Sequence, residues 1–222
     1  AAKFGARPKI EFVDTEPFEN SPRTLERLEE YDGVLLTPGF GTRGAEGMIK
    51  ASRKVINTDI PFLGICFGAQ IFFIAFCREH GLDDANSTEI DEDTTHPVVD
   101  LLPEQKQVSK KGGTMRLGGQ EISVKKGTRL YDAYEEEMVV ERFRHRYHLI
   151  KDYVEKMEDE GLVISATSEG RRIANVVEME GDQWAVGVQF HPEFTSRPGK
   201  PNPVYQSFVK AALEHKEARS EK

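Results

Sequence analysis

Apolar and polar positions along this chain follow two different rhythms, and the change between them divides it. In the first part, short continuous apolar runs alternate with helical periodicity. Lys9-Ile10-Glu11-Phe12-Val13-Asp14 alternates as a strand does, and Ser21-Pro22 opens a helix over residues 21–28, with Ser21 as N-cap. Residues 33–38, Gly-Val-Leu-Leu-Thr-Pro, are apolar without alternation, as expected of a parallel strand buried on both faces. A glycine-rich loop at 39–44 leads into a helix over 45–56. The apolar run from Pro61 to Ile65 then feeds a helix over 69–80. Strand and helix repeated three times predict a doubly wound α/β fold, with functional loops at the carboxyl ends of its strands.

The stretch 83–119 is polar and turn-rich, which predicts an irregular lid or binding loop. After it the strand rhythm returns over 138–148, 163–168, 173–180 and 184–190, with a helix over 153–160. Gly181-Asp182 reads as the turn of an antiparallel meander packed beside the parallel sheet. A last helix is expected over 203–216, followed by a charged tail at 217–222. The prediction is a single domain over 1–222: a three-layer, flavodoxin-like α/β fold with a mostly parallel central sheet, flanking helices and a small antiparallel extension.

The chemistry concentrates where the third strand meets its helix. Gly64-Ile65-Cys66-Phe67-Gly68 sets a cysteine between two glycines, the thiol form of a nucleophile elbow. The helix that follows aims its free amides at the sulfur, which favours thiolate. At the end of another predicted strand, His191-Pro192-Glu193 offers a base with a carboxylate two residues on. Together they make a candidate Cys66-His191-Glu193 set for acyl chemistry. Each part also has an ordinary reading: a buried cysteine, a satisfied loop histidine, a solvated glutamate. Cys77, inside Phe72-Phe73-Ile74-Ala75-Phe76-Cys77, reads as core.

Composition narrows the classes. Among 222 residues, 30 Lys and Arg face 38 Asp and Glu, a net charge of −8. That argues against nucleic acid or an anionic membrane surface as partner. No apolar run is long enough to span a bilayer, and Ala1-Ala2-Lys3-Phe4 does not open a secretory signal. The 2 cysteines lack the spacing of a disulfide framework or a zinc site. Asp91-Glu92-Asp93 beside His96 reads as solvated surface, so no metal is expected. These features suit a cytoplasmic protein with a free thiol.

Four further segments carry a resemblance: Ala85-Asn86-Ser87-Thr88-Glu89; Gly112-Gly113-Thr114-Met115-Arg116-Leu117-Gly118; Glu141-Arg142-Phe143-Arg144-His145-Arg146-Tyr147; and Gln189-Phe190-His191-Pro192-Glu193-Phe194-Thr195-Ser196-Arg197-Pro198. With the elbow, they resemble the class I glutamine amidotransferases, and more narrowly the glutaminase domain of the CTP synthase family. The resemblance implies hydrolysis of L-glutamine by Cys66, His191 and Glu193, with backbone oxyanion donors near Gly39 and Phe67. It implies Gln70 beside the amide, Glu89 on the substrate ammonium and Arg146 on its carboxylate. It also implies delivery of ammonia to a synthetase domain that uses ATP, magnesium and UTP to make CTP, and homo-oligomers at full length. GTP enters as an allosteric activator near Gly112 to Gly118, with Thr114 and Arg116 as the positions of interest. The resemblance implies no cofactor for the glutaminase step itself.

The chain departs from that pattern in three ways. No Gly-x-x-x-x-Gly-Lys-Ser/Thr loop for ATP occurs, so glutamine hydrolysis is the most that is expected of it. The family's leading strand has no counterpart before Lys9, so the chain is expected to be a fragment or its sheet to close differently. The oxyanion loop, Pro38-Gly39-Phe40-Gly41, is one glycine short. Two other readings stay open: a free-standing γ-glutamyl hydrolase, and a silent glutamine-binding or docking module.

Overall fold

The computed structural model describes residues 1–102, 105, 115–170 and 172–220. Its centre is a seven-stranded sheet, built from β1 (Val34–Leu36), β2 (Phe62–Ile65), β5 (Arg116–Val124), β6 (Met138–His145), β8 (Leu162–Ser168), β9 (Ile173–Met179) and β10 (Ala185–Val188). Their order is β1-β2-β10-β9-β8-β5-β6. β1, β2 and β10 run parallel, with Leu36 opposite Gly64 and Ile65 opposite Val188. From β9 outward the pairing is antiparallel. The expected class therefore holds, with a longer antiparallel arm than the sequence led one to expect. A small second sheet joins β3 (Ala85–Ser87), β4 (His96–Leu101) and β7 (Tyr147–Leu149).

All four residues of β2 are buried, because alternate side chains enter different cores. Phe62 packs in the layer of α3 (Ala45–Ile56), α4 (Phe67–Glu79) and α6 (Lys151–Glu158). Leu63 and Ile65 face the opposite layer, where Leu130 of α5 (Arg129–Tyr134) and Val204 of α7 (Pro203–Ser220) lie. α4 is buried all round from Phe67 through Cys77, and apolar there except for Gln70, because it is covered on every side.

Several expectations need correction. Residues 9–14 form no strand: Ile10 and Phe12 are 73% and 90% exposed, and no described strand lies alongside to complete a ladder. The predicted helix over 21–28 is divided between α2 (Pro22–Glu26) and a 3-10 turn at Arg27–Glu30, and a short helix that was not expected, α1 (Glu16–Asn20), precedes it. Ser21 precedes α2 but makes no side-chain cap bond. The stretch read as irregular, 83–119, holds β3, β4 and the start of β5. The strand expected over 138–148 divides into β6 and β7, which belong to different sheets. α7 continues beyond Lys216 to Ser220, so most of the expected tail is helical. Among the described residues, no helix is long and apolar enough to cross a membrane.

Candidate active site

The elbow forms where β2 ends and α4 begins. Cys66 has φ 53° and ψ −104°, a conformation costing about 1–3 kcal/mol that persists only when its surroundings hold it. They do so from both sides. Its N–H donates to the Val188 carbonyl at 2.7 Å, and its own carbonyl accepts from Ala69 and Gln70 N–H at 3.1 and 3.2 Å. The flanking glycines are steric requirements. A Cβ on Gly64 would lie 2.6 Å from the Gly68 oxygen, and one on Gly68 would lie 2.5 Å from the Leu36 oxygen.

His191 arrives from the adjacent parallel strand. After β10 the chain runs through Gln189 and Phe190, and the His191 N–H donates to the Arg142 carbonyl of β6 at 2.8 Å. A 3-10 turn, Pro192–Phe194, folds the next carboxylate back, so that Glu193 Oε1 lies 2.6 Å from His191 Nδ1. The imidazole stacks on the Phe194 ring with centroids 4.8 Å apart. Burial disfavours its charge, yet the neighbouring Cys66 sulfur and the Glu193 carboxylate outweigh that and raise its pKa to about 9. Nε2 is buried without a hydrogen bond of normal length, close enough to the sulfur to feel its charge.

A buried carboxylate clamps this turn. Glu141 accepts from Tyr134 Oη at 2.5 Å, from Asn202 Nδ2 at 2.7 Å and from Thr195 Oγ1 at 3.0 Å. Thr195 ends the turn that follows the histidine and Asn202 lies seven residues beyond Thr195, and Glu141 and Asn202 are buried. Sequence reading passed over Glu141. The available signal was a charge in the inward phase of an alternating strand, beside Val139, Phe143 and His145.

A cavity of about 390 Å³ opens above the sulfur, lined by Gly39, Cys66, Gln70, Glu89, Arg146 and His191 among others. Six of the eight expected site residues therefore meet on one space. The other two adjoin it. Glu193 stands behind the histidine, and Phe67 carries its ring so near Gly39 that a Cβ there would lie 3.6 Å from it. The shortened loop still reaches the site: Pro38, Gly39 and Phe40 all line the cavity, and Gly41 N–H donates to Glu89 Oε1 at 3.2 Å. Gln70 is buried, with Nε2 donating to the Tyr147 carbonyl at 3.1 Å and to Gln189 Oε1 at 3.0 Å. Gln189, whose Nε2 lies 3.6 Å from Cys66 Sγ, is a second residue that the sequence reading passed over.

His145 also lines the cavity. Burial holds its pKa down at about 3, and Nδ1 faces the Tyr147 carbonyl at 2.7 Å, so its ring is neutral. Arg116 turns away from solvent: it donates to Ser168 Oγ at 3.1 Å, pairs with Glu169 at 3.2 Å and covers the Phe143 ring. Thr114 lies outside the described residues. Among the described residues, no group of three or more His, Cys, Asp or Glu side chains is placed to hold a metal ion.

An elbow cysteine and a strand-end histidine share one cleft, and the following glutamate backs the histidine. Residues 2–211 match the sequence model of Glutamine amidotransferase class-I, and the chain belongs to that family. Within it the chain is of the CTP synthase type. It is 48% identical over 214 residues to the CTP synthase of Archaeoglobus fulgidus, covering 96% of this chain and 40% of that protein. It is 46% identical over 213 residues to the CTP synthase of Saccharolobus solfataricus, covering 95% and 40%. The glutaminase domain of Trypanosoma brucei CTPS, solved with bound acivicin, superposes with a TM-score of 0.89 at 34% identity, covering 96% of this chain and 83% of that one. The chain thus spans about 40% of the length of the curated relatives it matches.

Proposed function

We propose that this chain hydrolyses L-glutamine to glutamate and ammonia through a γ-glutamyl thioester on Cys66. The observation that carries the reading is the short His191–Glu193 pair beside an elbow sulfur, at the floor of a cavity large enough for an amino acid. A primary amide is a poor electrophile with a poor leaving group, so it needs a strong nucleophile and a proton donor. The Cys66 thiolate attacks the carboxamide carbon, a C–S bond forms, and the carbonyl electrons move to oxygen. Backbone N–H groups of Gly39 and Phe67 are the proposed donors to that oxyanion, each worth about 3–4 kcal/mol in such a site.

Collapse of the intermediate breaks the C–N bond, and His191 Nε2 gives its proton to the departing ammonia. The neutral imidazole then takes a proton from water, which attacks the thioester and releases glutamate and thiolate. Glu193 fixes the ring's tautomer and stabilises its cation throughout. With its pKa near 9, the imidazole is protonated at neutral pH, ready for the first proton transfer. Glu89, across the cavity, is the proposed partner of the substrate ammonium, and Arg146 of its carboxylate.

In the whole protein, the ammonia is proposed to pass to a synthetase domain that converts UTP to CTP with ATP. GTP is proposed to activate the glutaminase step. The test is ammonia release from glutamine, with and without GTP, together with intact mass after incubation with an electrophilic glutamine analogue. Turnover and a single adduct on Cys66, both lost in Cys66→Ala, are expected. A chain that releases no ammonia and takes no adduct would overturn the reading.

A further inference from the structure

Outside the triad, two groups approach the Cys66 sulfur: the Arg144 carbonyl at 3.8 Å and the Gln189 side-chain nitrogen at 3.6 Å. They are opposite in kind. A carbonyl can only accept, so Arg144 suits a thiol that still carries its proton. An amide N–H donates, so Gln189 suits sulfur that has lost it. Which end of the Gln189 amide faces the sulfur therefore decides which protonation state it favours.

That orientation is set from the far side. The Tyr147 carbonyl is an acceptor, so Gln70 must turn its NH₂ toward it, at 3.1 Å. The other proton of the same NH₂ meets Gln189 Oε1 at 3.0 Å. With its oxygen engaged, Gln189 presents its own NH₂ to the sulfur. Flipping either amide would set donor against donor or acceptor against acceptor. Gln70, Gln189 and Cys66 are all buried, and Gln189 lies off the cavity lining, so such a mismatch would find little solvent to relieve it. The main chain of Gln189 is held as well, its N–H donating to the Asn175 carbonyl at 2.8 Å.

We propose that Gln189 is a further catalytic residue, donating a side-chain hydrogen bond to the Cys66 sulfur as thiolate, and that Gln70 is the positioning residue that orients it from the Tyr147 carbonyl. This deepens the glutaminase reading and rests on Cys66 being its nucleophile. Gln70 then serves the sulfur through Gln189, and its Nε2 is not the group that holds the substrate amide.

Iodoacetamide alkylation of Cys66 tests this, because it reads the thiolate and needs no glutamine bound. Gln189→Met keeps the length and removes the donor. Its alkylation at pH 7 should slow about tenfold, with the rate-against-pH curve displaced to the alkaline side. Its kcat should fall with it while KM changes little. Gln70→Met, which frees Gln189 to turn over, should give a displacement in the same direction and smaller, about threefold. An unchanged alkylation profile in a folded Gln189→Met chain would overturn the proposal. Should that variant fail to fold, the wild-type chain labelled with ¹⁵N at glutamine side chains supplies the second reading. The Gln189 amide signal should move with the same pH midpoint as alkylation, and a signal indifferent to that midpoint would overturn it equally. A wild type that releases ammonia beside an indifferent Gln189 removes the relay alone. One that neither turns over nor alkylates removes the parent reading and the relay together.

Discussion

Cys66 and Cys77 are borne by one stretch of chain, the first at the N-terminus of α4 and the second near its last turn. Both are buried and neither is in a disulfide. Around Cys66 lie a cavity, an imidazole whose pKa is raised to about 9, and an amide N–H. Cys77 is enclosed by the apolar core, and burial pushes its thiol far above the usual cysteine range, with Lys156 too weak a counterweight. The same functional group therefore faces a cavity beside an imidazole at one end of a helix and fills the core at the other. Burial alone does not silence a thiol; burial without donors and a cationic neighbour does.

The contrast can be broken most severely through Glu193. Glu193→Gln removes the charge that holds the imidazole protonated, which makes the surroundings of Cys66 more like those of Cys77. Turnover should fall about a thousandfold, less than the largest such losses because Glu193 is 34% exposed at its side chain and water can partly replace it. The sign of the pH effect follows from the raised pKa. In wild type the imidazolium is kept up to about pH 9, so the alkaline limb of kcat/KM lies there, and in the variant it should move toward neutrality. The same linkage makes the charged histidine's contribution to stability fully present below pH 6.5 and lost as pH rises through about 9.

A smaller effect is expected from Gly68→Ala. The added methyl would meet the Leu36 carbonyl and lift the elbow from its seat. A displacement of about 1 Å should lower kcat about a hundredfold while leaving the fold recognisable by circular dichroism. The smallest effect sharpens the control. Cys77→Ala should leave ammonia release within a factor of about two, while thermal melts report a loss of about 1 kcal/mol for the buried sulfur removed. A large loss of turnover in that variant would mean the two cysteines are not as different as their surroundings make them.

How much of this was legible beforehand follows from how local each feature is. The elbow and His191-Pro192-Glu193 are written in consecutive residues, because backbone sterics and a two-residue reach leave few alternatives. α3 and the helix that carries both cysteines could be read from apolar pattern alone. Residues 9–14 misled, since alternation describes a strand only when another strand lies alongside. The strands within 83–119 were hidden by their polar composition, and β4 gains its order from pairing with β3 and β7. Glu141 and Gln189 were passed over because their roles depend on groups brought up by distant segments: Tyr134, Thr195 and Asn202 in one case, Gln70 and Tyr147 in the other.

The register of β2 against β10 has one more implication. Because Ile65 lies opposite Val188, the Cys66 sulfur and the His191 imidazole follow the ends of neighbouring parallel strands, which lie about 4.8 Å apart. Sheet geometry thus brings the two segments together, and the Arg142 carbonyl and the Glu141 clamp fix the histidine beyond the strand end. A protease that nicks the polar stretch before β4 should then leave the thiol and its base aligned, and the cut chain should keep its reactivity toward small electrophiles even where it loses grip on an amino acid.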